Sequence, residues 1–265
     1  FSRFNERFKG QNIFKKANNP AVIITGAGSE SGLGRFLFEN ISDKGINVYG
    51  VDKNFSGDLC GRHYICDLSK HVDVVNCFED IFADAAADGF NIIGLVNNAS
   101  ITHMEWFEDF GEIFRDVIEC NLLSAYFSSA EFVKLTNNKF RKYIINIGSM
   151  AYDSVLNAST AYCSSKAALM MMTRCMGWEL TKRNYITIQL NPSSIVGTNM
   201  EKVDVDGLVR MQGMSHSDAV AYRSAGHQLD KQLTKKEILG VVEMILDSKL
   251  DYLSGAQIDF KGGCR

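Results

Sequence analysis

At 265 residues with 46% apolar content, the chain can bury the core of a single α/β domain. A net charge of −3 and a pI near 6.0 leave no electrostatic footprint for nucleic acid. No apolar run approaches the roughly 18 residues of a membrane span, so neither nucleic acid nor membrane is an expected partner.

Residues 1–20 hold five Lys/Arg against one Glu and lack the apolar stretch of a signal peptide. A loosely ordered N-terminal extension is expected there, ahead of a domain at 21–265. Within that domain short β-rich runs alternate with helix-length segments. The runs are AVIIT (21–25), INVYGVD (46–52), HYICD (63–67), IIGLVNN (92–98), KYIINIGS (142–149), YITIQLN (185–191) and AQIDF (256–260). Most are apolar at successive positions, as strands covered on both faces must be. Between them, 32–44, 69–87, 109–137, 161–183 and 234–248 are long enough for crossover helices. The rhythm predicts a single-domain α/β fold, a doubly wound parallel sheet of about seven strands with helices on both faces. It breaks at 193–233, a polar, Met-dotted stretch holding Arg210, His216, Arg223 and His227. Near the carboxyl edge of the sheet, this insertion suits a substrate lid, or else an ordinary pair of surface helices.

The seven cysteines (60, 66, 77, 120, 163, 175 and 264) form no C-x-x-C pair, and the five histidines form no ligand cluster. A reduced, cytoplasmic protein without a metal is expected.

Two patterns carry chemistry. Between the first strand and the first helix stand Gly26, Gly28, Gly32, Leu33 and Gly34, where glycines let the backbone approach a pyrophosphate at a helix amino terminus. Asp52 closes the second strand 18 residues past Gly34, placed to accept hydrogen bonds from a ribose diol and to repel a 2′-phosphate. NAD is therefore favoured over NADP as cofactor, with neighbouring Lys53 the counter-argument. The second pattern is Tyr162 and Lys166, which share a helix face at i and i+4. A cation about 5 Å from a phenol, at an effective dielectric of ~20, favours the phenolate by roughly 3 kcal/mol, or about two pKa units. Lys166 is thus expected to acidify Tyr162 for general acid–base work. Taken alone, the pair is also a common accident of amphipathic helices.

Other residues complete a series. In order come the TG…GLG loop (25–34), Asp52, Asp67 and Leu68, Asn97–Asn98–Ala99–Ser100, Asn121, Ser149, Tyr162 and Lys166, Asn191–Pro192 with Thr198, and Ser254–Gly255 with Gly262–Gly263. This series resembles the short-chain dehydrogenase/reductase superfamily from about residue 20 to 263. The resemblance implies a Rossmann-type fold and hydride transfer between nicotinamide and a secondary alcohol or ketone. It makes Asn121, Ser149, Tyr162 and Lys166 a catalytic tetrad. Tyr162 would pass a proton to or from the substrate oxygen, and Ser149 would hydrogen-bond that oxygen. Lys166 would lower the tyrosine's pKa and hold the nicotinamide ribose, while Asn121 would keep a water in a proton relay. The cofactor would be bound by Gly26, Gly28, Gly32, Leu33, Gly34, Asp52, Asp67, Leu68, Asn98, Ala99, Pro192, Ile195 and Thr198, together with Tyr162 and Lys166.

The chain departs from the pattern in three places. Five residues separate Gly26 from Gly32, the extra Ser29/Glu30 pair resembling the longer loops of enoyl reductases. Ser100 stands where glycine is usual, and Pro192–Ser193–Ser194 opens a loop one residue longer than the usual Pro-Gly. Two alternatives stay open, an enoyl-type double-bond reductase and a non-catalytic dinucleotide-binding regulator. Tyr152, Asp153, His103 and Met104 hint at a polar or sugar-derived small-molecule substrate, against a plain reading as solvated loop residues. Ala125, Tyr126, Phe127, Ala130, Phe132, Ala167 and Ala168 suit close helix packing, and a homodimer or homotetramer is expected.

Overall fold

Each apolar run becomes a strand in the computed structural model. It describes residues 18–42, 45–57, 61–109, 111–137, 139–224, 229, 231–247 and 251–263. Residues 1–17 of the expected extension, Cys60, Cys264 and His227 lie outside the described residues. The strands are β1 (Pro20–Thr25), β2 (Asn47–Asp52), β3 (Arg62–Ile65), β4 (Asn91–Asn97), β5 (Lys142–Ile147), β6 (Tyr185–Pro192) and β7 (Ala256–Phe260). They form one sheet in the order β3-β2-β1-β4-β5-β6-β7, every pairing parallel. The order reverses at β1, which lies between β2 and β4, and this opens a crevice at the carboxyl ends of β1 and β4.

The helices are α1 (Leu33–Ser42), α2 (His71–Ala87), α3 (Ile113–Ile118), α4 (Ser124–Leu135), α5 (Thr160–Leu180), α6 (Asn199–Gln212), α7 (His216–Ser224) and α8 (Lys235–Asp247). Alternation along β1 divides the core. Val22 and Ile24 pack with Leu37 and Phe38 of α1 and Val242 and Ile245 of α8, whereas Ala21 and Ile23 pack with Phe78 and Ile81 of α2 and Phe132 of α4. The predicted middle helix is interrupted. A π turn at Glu119–Leu123 separates α3 from α4 and carries Asn121.

The 193–233 insertion holds α6 and α7. Thr198 caps α6, its Oγ1 accepting the Glu201 N–H at 3.1 Å, while the Glu201 carboxylate takes the Gly197 N–H at 2.7 Å. The helix stops at Gly213, whose φ of 65° suits the left-handed cap. Val205, Leu208 and Ala219 pack with Met104 in a small core of their own. Among the described residues, no helix is long and apolar enough to cross a membrane.

Candidate active site

The site begins where β1 ends. Gly26 has a φ of +70°, and a Cβ there would stand 2.7 Å from the Ala99 Cα, so the glycine loop packs directly on the turn after β4. Thr25 Oγ1 accepts the N–H groups of Asn98 (3.0 Å) and Ala99 (3.2 Å). Asn98 Nδ2 donates to the carbonyls of Thr25 and Gly26, each at 3.1 Å. The structure therefore makes Asn98 a brace of the crevice floor, its amide nitrogen spent on protein carbonyls. At Gly34 a Cβ would lie 2.2 Å from the Gly26 oxygen, which presses the amino end of α1 onto the same loop. Leu33 and Leu68 are buried core residues.

Asp52 stands at the rim. Its carboxylate accepts the N–H groups of Gly28 and Lys53, each at 2.7 Å. Lys53 sends its ammonium to Asp67, 3.4 Å away, and Ser69 Oγ donates to that carboxylate at 2.7 Å. Burial works against ionisation of Asp67, but the Ser69 hydrogen bonds and Lys53 hold its pKa below the ordinary carboxylate value. The extra loop residues close as a turn, Gly32 N–H donating to Ser29 O at 2.8 Å. Glu30 N–H donates to Ser56 Oγ at 3.1 Å. Ser29, Glu30, Ser31, Ser56 and Asn199 line a polar cavity of about 430 Å³. Lys235, at the start of α8, donates to the carbonyls of Ser31 (2.8 Å) and Gly197 (3.3 Å), joining the two lips of the crevice. Beyond it Ile195 bridges Leu233, and Pro192 ends β6. A side-chain-free cradle, a helix amino terminus and a carboxylate at the rim fit the pyrophosphate and ribose of a dinucleotide.

Tyr162 and Lys166 lie on α5, Ser149 on the turn after β5. The Lys166 Nζ sits 5.6 Å from the centre of the Tyr162 ring and donates to the Ile147 carbonyl at 3.1 Å. Burial pushes the Tyr162 phenol up to about 12, while a hydrogen bond with Ser149 pulls the other way. Burial therefore works against the acidification of Tyr162 expected from Lys166. Burial favours the neutral form of each, and it drives Lys166 down to about 8. Asn121 joins the cluster indirectly. Its Oδ1 accepts the Ile101 N–H (2.8 Å), and its Nδ2 donates to Ile101 O (2.9 Å) and Ser165 Oγ (3.1 Å). It thus holds the loop after β4 to α5 beside Lys166.

The residues that hint at a polar substrate take different places. Tyr152 donates to Asp259 Oδ2 at 3.2 Å, and Asp153 is exposed. Met104 is buried in the small core it shares with α6 and α7. The Ser100 hydroxyl is buried without a hydrogen-bond partner among the described residues. Sequence reasoning missed Met200, whose sulfur lies 3.9 Å from the Tyr162 hydroxyl. The cap signal at Thr198 would have placed Met200 in the first turn of a helix facing this crevice.

The profile of the short chain dehydrogenase family matches residues 20–208. A 3-oxoacyl-(acyl-carrier-protein) reductase FabG of Haemophilus influenzae is 26% identical over 255 residues, spanning 91% of this chain and 96% of the relative. An L-xylulose reductase of Caenorhabditis elegans is 29% identical, over 68% of this chain and 72% of that one. The fold resembles that of an NAD+-bound xylitol dehydrogenase, with a TM-score of 0.81, 21% identity and coverage of 94% of this chain and 100% of the other. A Thermoplasma acidophilum aldohexose dehydrogenase gives 0.80 at 21% identity, covering 94% and 95%. The chain belongs to the short chain dehydrogenase family and is an oxidoreductase of that family.

Proposed function

We propose that the chain interconverts a secondary alcohol and a ketone on a polar, sugar-derived substrate, with NAD favoured over NADP. The observation that carries this reading is the convergence of the Tyr162 and Ser149 hydroxyls over Lys166, beside a side-chain-free dinucleotide cradle. The bound nicotinamide supplies or accepts the hydride. Tyr162 gives its proton to the oxygen when a ketone is reduced and takes one back when an alcohol is oxidised. Ser149 hydrogen-bonds the same oxygen and steadies its charge. Among the described residues Lys166 gives one N–H to Ile147, and its other donors would reach the ribose hydroxyls. Relatives named for xylulose, xylitol and glycerol support a polyol substrate. A panel of polyols, sugars, simple ketones and acyl thioesters, followed by NADH absorbance, tests the class; turnover confined to acyl thioesters would reject it.

The preference for NAD rests on Asp52, with Lys53 engaged by Asp67. Asp52→Ala is expected to lower the ratio of kcat/KM for NAD over NADP by about tenfold or more, since a tenfold ratio is only about 1.4 kcal/mol of differential binding. An unchanged ratio would remove Asp52 from cofactor selection.

We also propose a homodimer or homotetramer through the outer faces of α4 and α5. Ala125 and Phe132, expected at that interface, are buried in the subunit itself, whereas Tyr126, also expected there, is exposed, as are Met171 and Trp178. Light scattering at micromolar concentration is expected to give a multiple of 29.5 kDa. A monomer mass would reject this.

A further inference from the structure

Met200 brings the lid to the catalytic hydroxyl, and Asp204 stands one turn further along the same face of α6. Asp204 is a hub. Thr102, on the loop after β4, donates to its Oδ1 at 2.8 Å, and Arg223 of α7 donates to its Oδ2 at 2.8 Å. The same Arg223 nitrogen donates to Ser194 Oγ, on the loop after β6, at 3.1 Å. Asp204 is only 9% exposed, so losing either partner would leave a costly uncompensated charge. Four segments around the crevice are thereby fastened through one ion pair.

We propose that Asp204 and Arg223 are positioning residues of the reaction, a pair that pins the lid on Tyr162 and fixes two opposite charges beside its hydroxyl. This rests on the reading of Tyr162 as the proton-transferring group. Ser149 from the turn after β5 hydrogen-bonds that hydroxyl, Lys166 of α5 lies 5.6 Å from the ring centre, and the charges of Asp204 on α6, Arg223 on α7 and Cys163 on α5 act on it from further off. Asp204 is itself faced by Arg223, Thr102 and Glu201. Asp204 opposes ionisation of the phenol and Arg223 favours it. Removing one charge leaves the other acting alone, a signed effect that a merely structural pair would lack.

The test is the pH profile of kcat for alcohol oxidation, read beside amide hydrogen exchange over residues 199–224. Asp204→Asn is expected to move the midpoint down by about one pH unit, Arg223→Gln to move it up by a similar amount, and the double variant to return near the original value. Midpoints that stand still or move together would overturn the proposal. In Arg223→Gln, exchange in α6 and α7 is expected to quicken by about tenfold while α2 is unchanged; equal exchange rates would remove the pin. Should that variant fail to fold, Arg223→Lys keeps the charge and is expected to hold the original midpoint with faster lid exchange, and a shifted midpoint there would count against the proposal. Absence of turnover on every alcohol and ketone would reject the proton-transfer reading, leaving the exchange data to decide the pin.

Discussion

Tyr162→Phe is expected to lower kcat by about three powers of ten, with NADH affinity changed less than about threefold. The two readouts separate because the substitution removes one oxygen and leaves the ring. Tyr162 is 8% exposed and packed on α5, so the Phe variant keeps its place in the core. Among the described residues the hydroxyl has Ser149 and the weak Met200 sulfur as partners. Its loss therefore costs little in stability, roughly 1 kcal/mol or less. The dinucleotide cradle is built elsewhere, from the glycine loop, α1 and Asp52. What disappears is the proton for the substrate oxygen. A stopped-flow comparison of hydride transfer, beside an NADH fluorescence titration, makes the measurement. Full turnover in the Phe variant would end the catalytic assignment. Loss of both turnover and NADH binding would mean instead that the hydroxyl organises the cofactor site.

The sequence was legible where the signal is local. KYIINI reads as a strand because all six of its residues are buried between two helical layers, and that demand writes an uninterrupted β-rich run. The Gly26–Gly34 loop and the Tyr162/Lys166 spacing are local too. Tertiary facts were hidden. Whether Lys166 acidifies Tyr162 depends on how much water reaches both, which spacing does not encode. The backbone partners of Asn98 and Asn121 were not legible, because they come together only once β1, β4 and α5 meet. The π turn at 119–123 is invisible to a 3.6-residue period, because its flanks are both helical. Asp204 carries no local signal, since its partner Arg223 comes from α7. Phe132 fitted an interface by type, yet it sits at 0% exposure against Tyr185.

Lys166→Met is expected to stabilise the protein while reducing kcat/KM by about a hundredfold or more, and Lys142→Met to stabilise it without loss of turnover. Both lysines are buried, at 2% and 3% exposure, and burial pushes both down to about 8 from 10.5. In the window from about 8 to 10.5 the unfolded chain holds more protons than the folded one, so stability rises with pH across it. Below that window the desolvation cost is fully present, of the order of 3 kcal/mol for each lysine. Methionine removes the cost and fills similar volume, so denaturant midpoints at pH 7 should rise in both variants and the alkaline gain should shrink. Function separates them. Lys142 opens β5 at its amino end, with its ammonium on the Phe140 carbonyl, far along the strand from Ile147 and the Lys166 that binds it. A destabilised Lys166→Met would mean that the ammonium is satisfied in place, and lost turnover in Lys142→Met would mean that its burial serves the site. If the two variants behave as expected, the lysine beneath the phenol is kept against the interest of the fold, and its only return is the reaction.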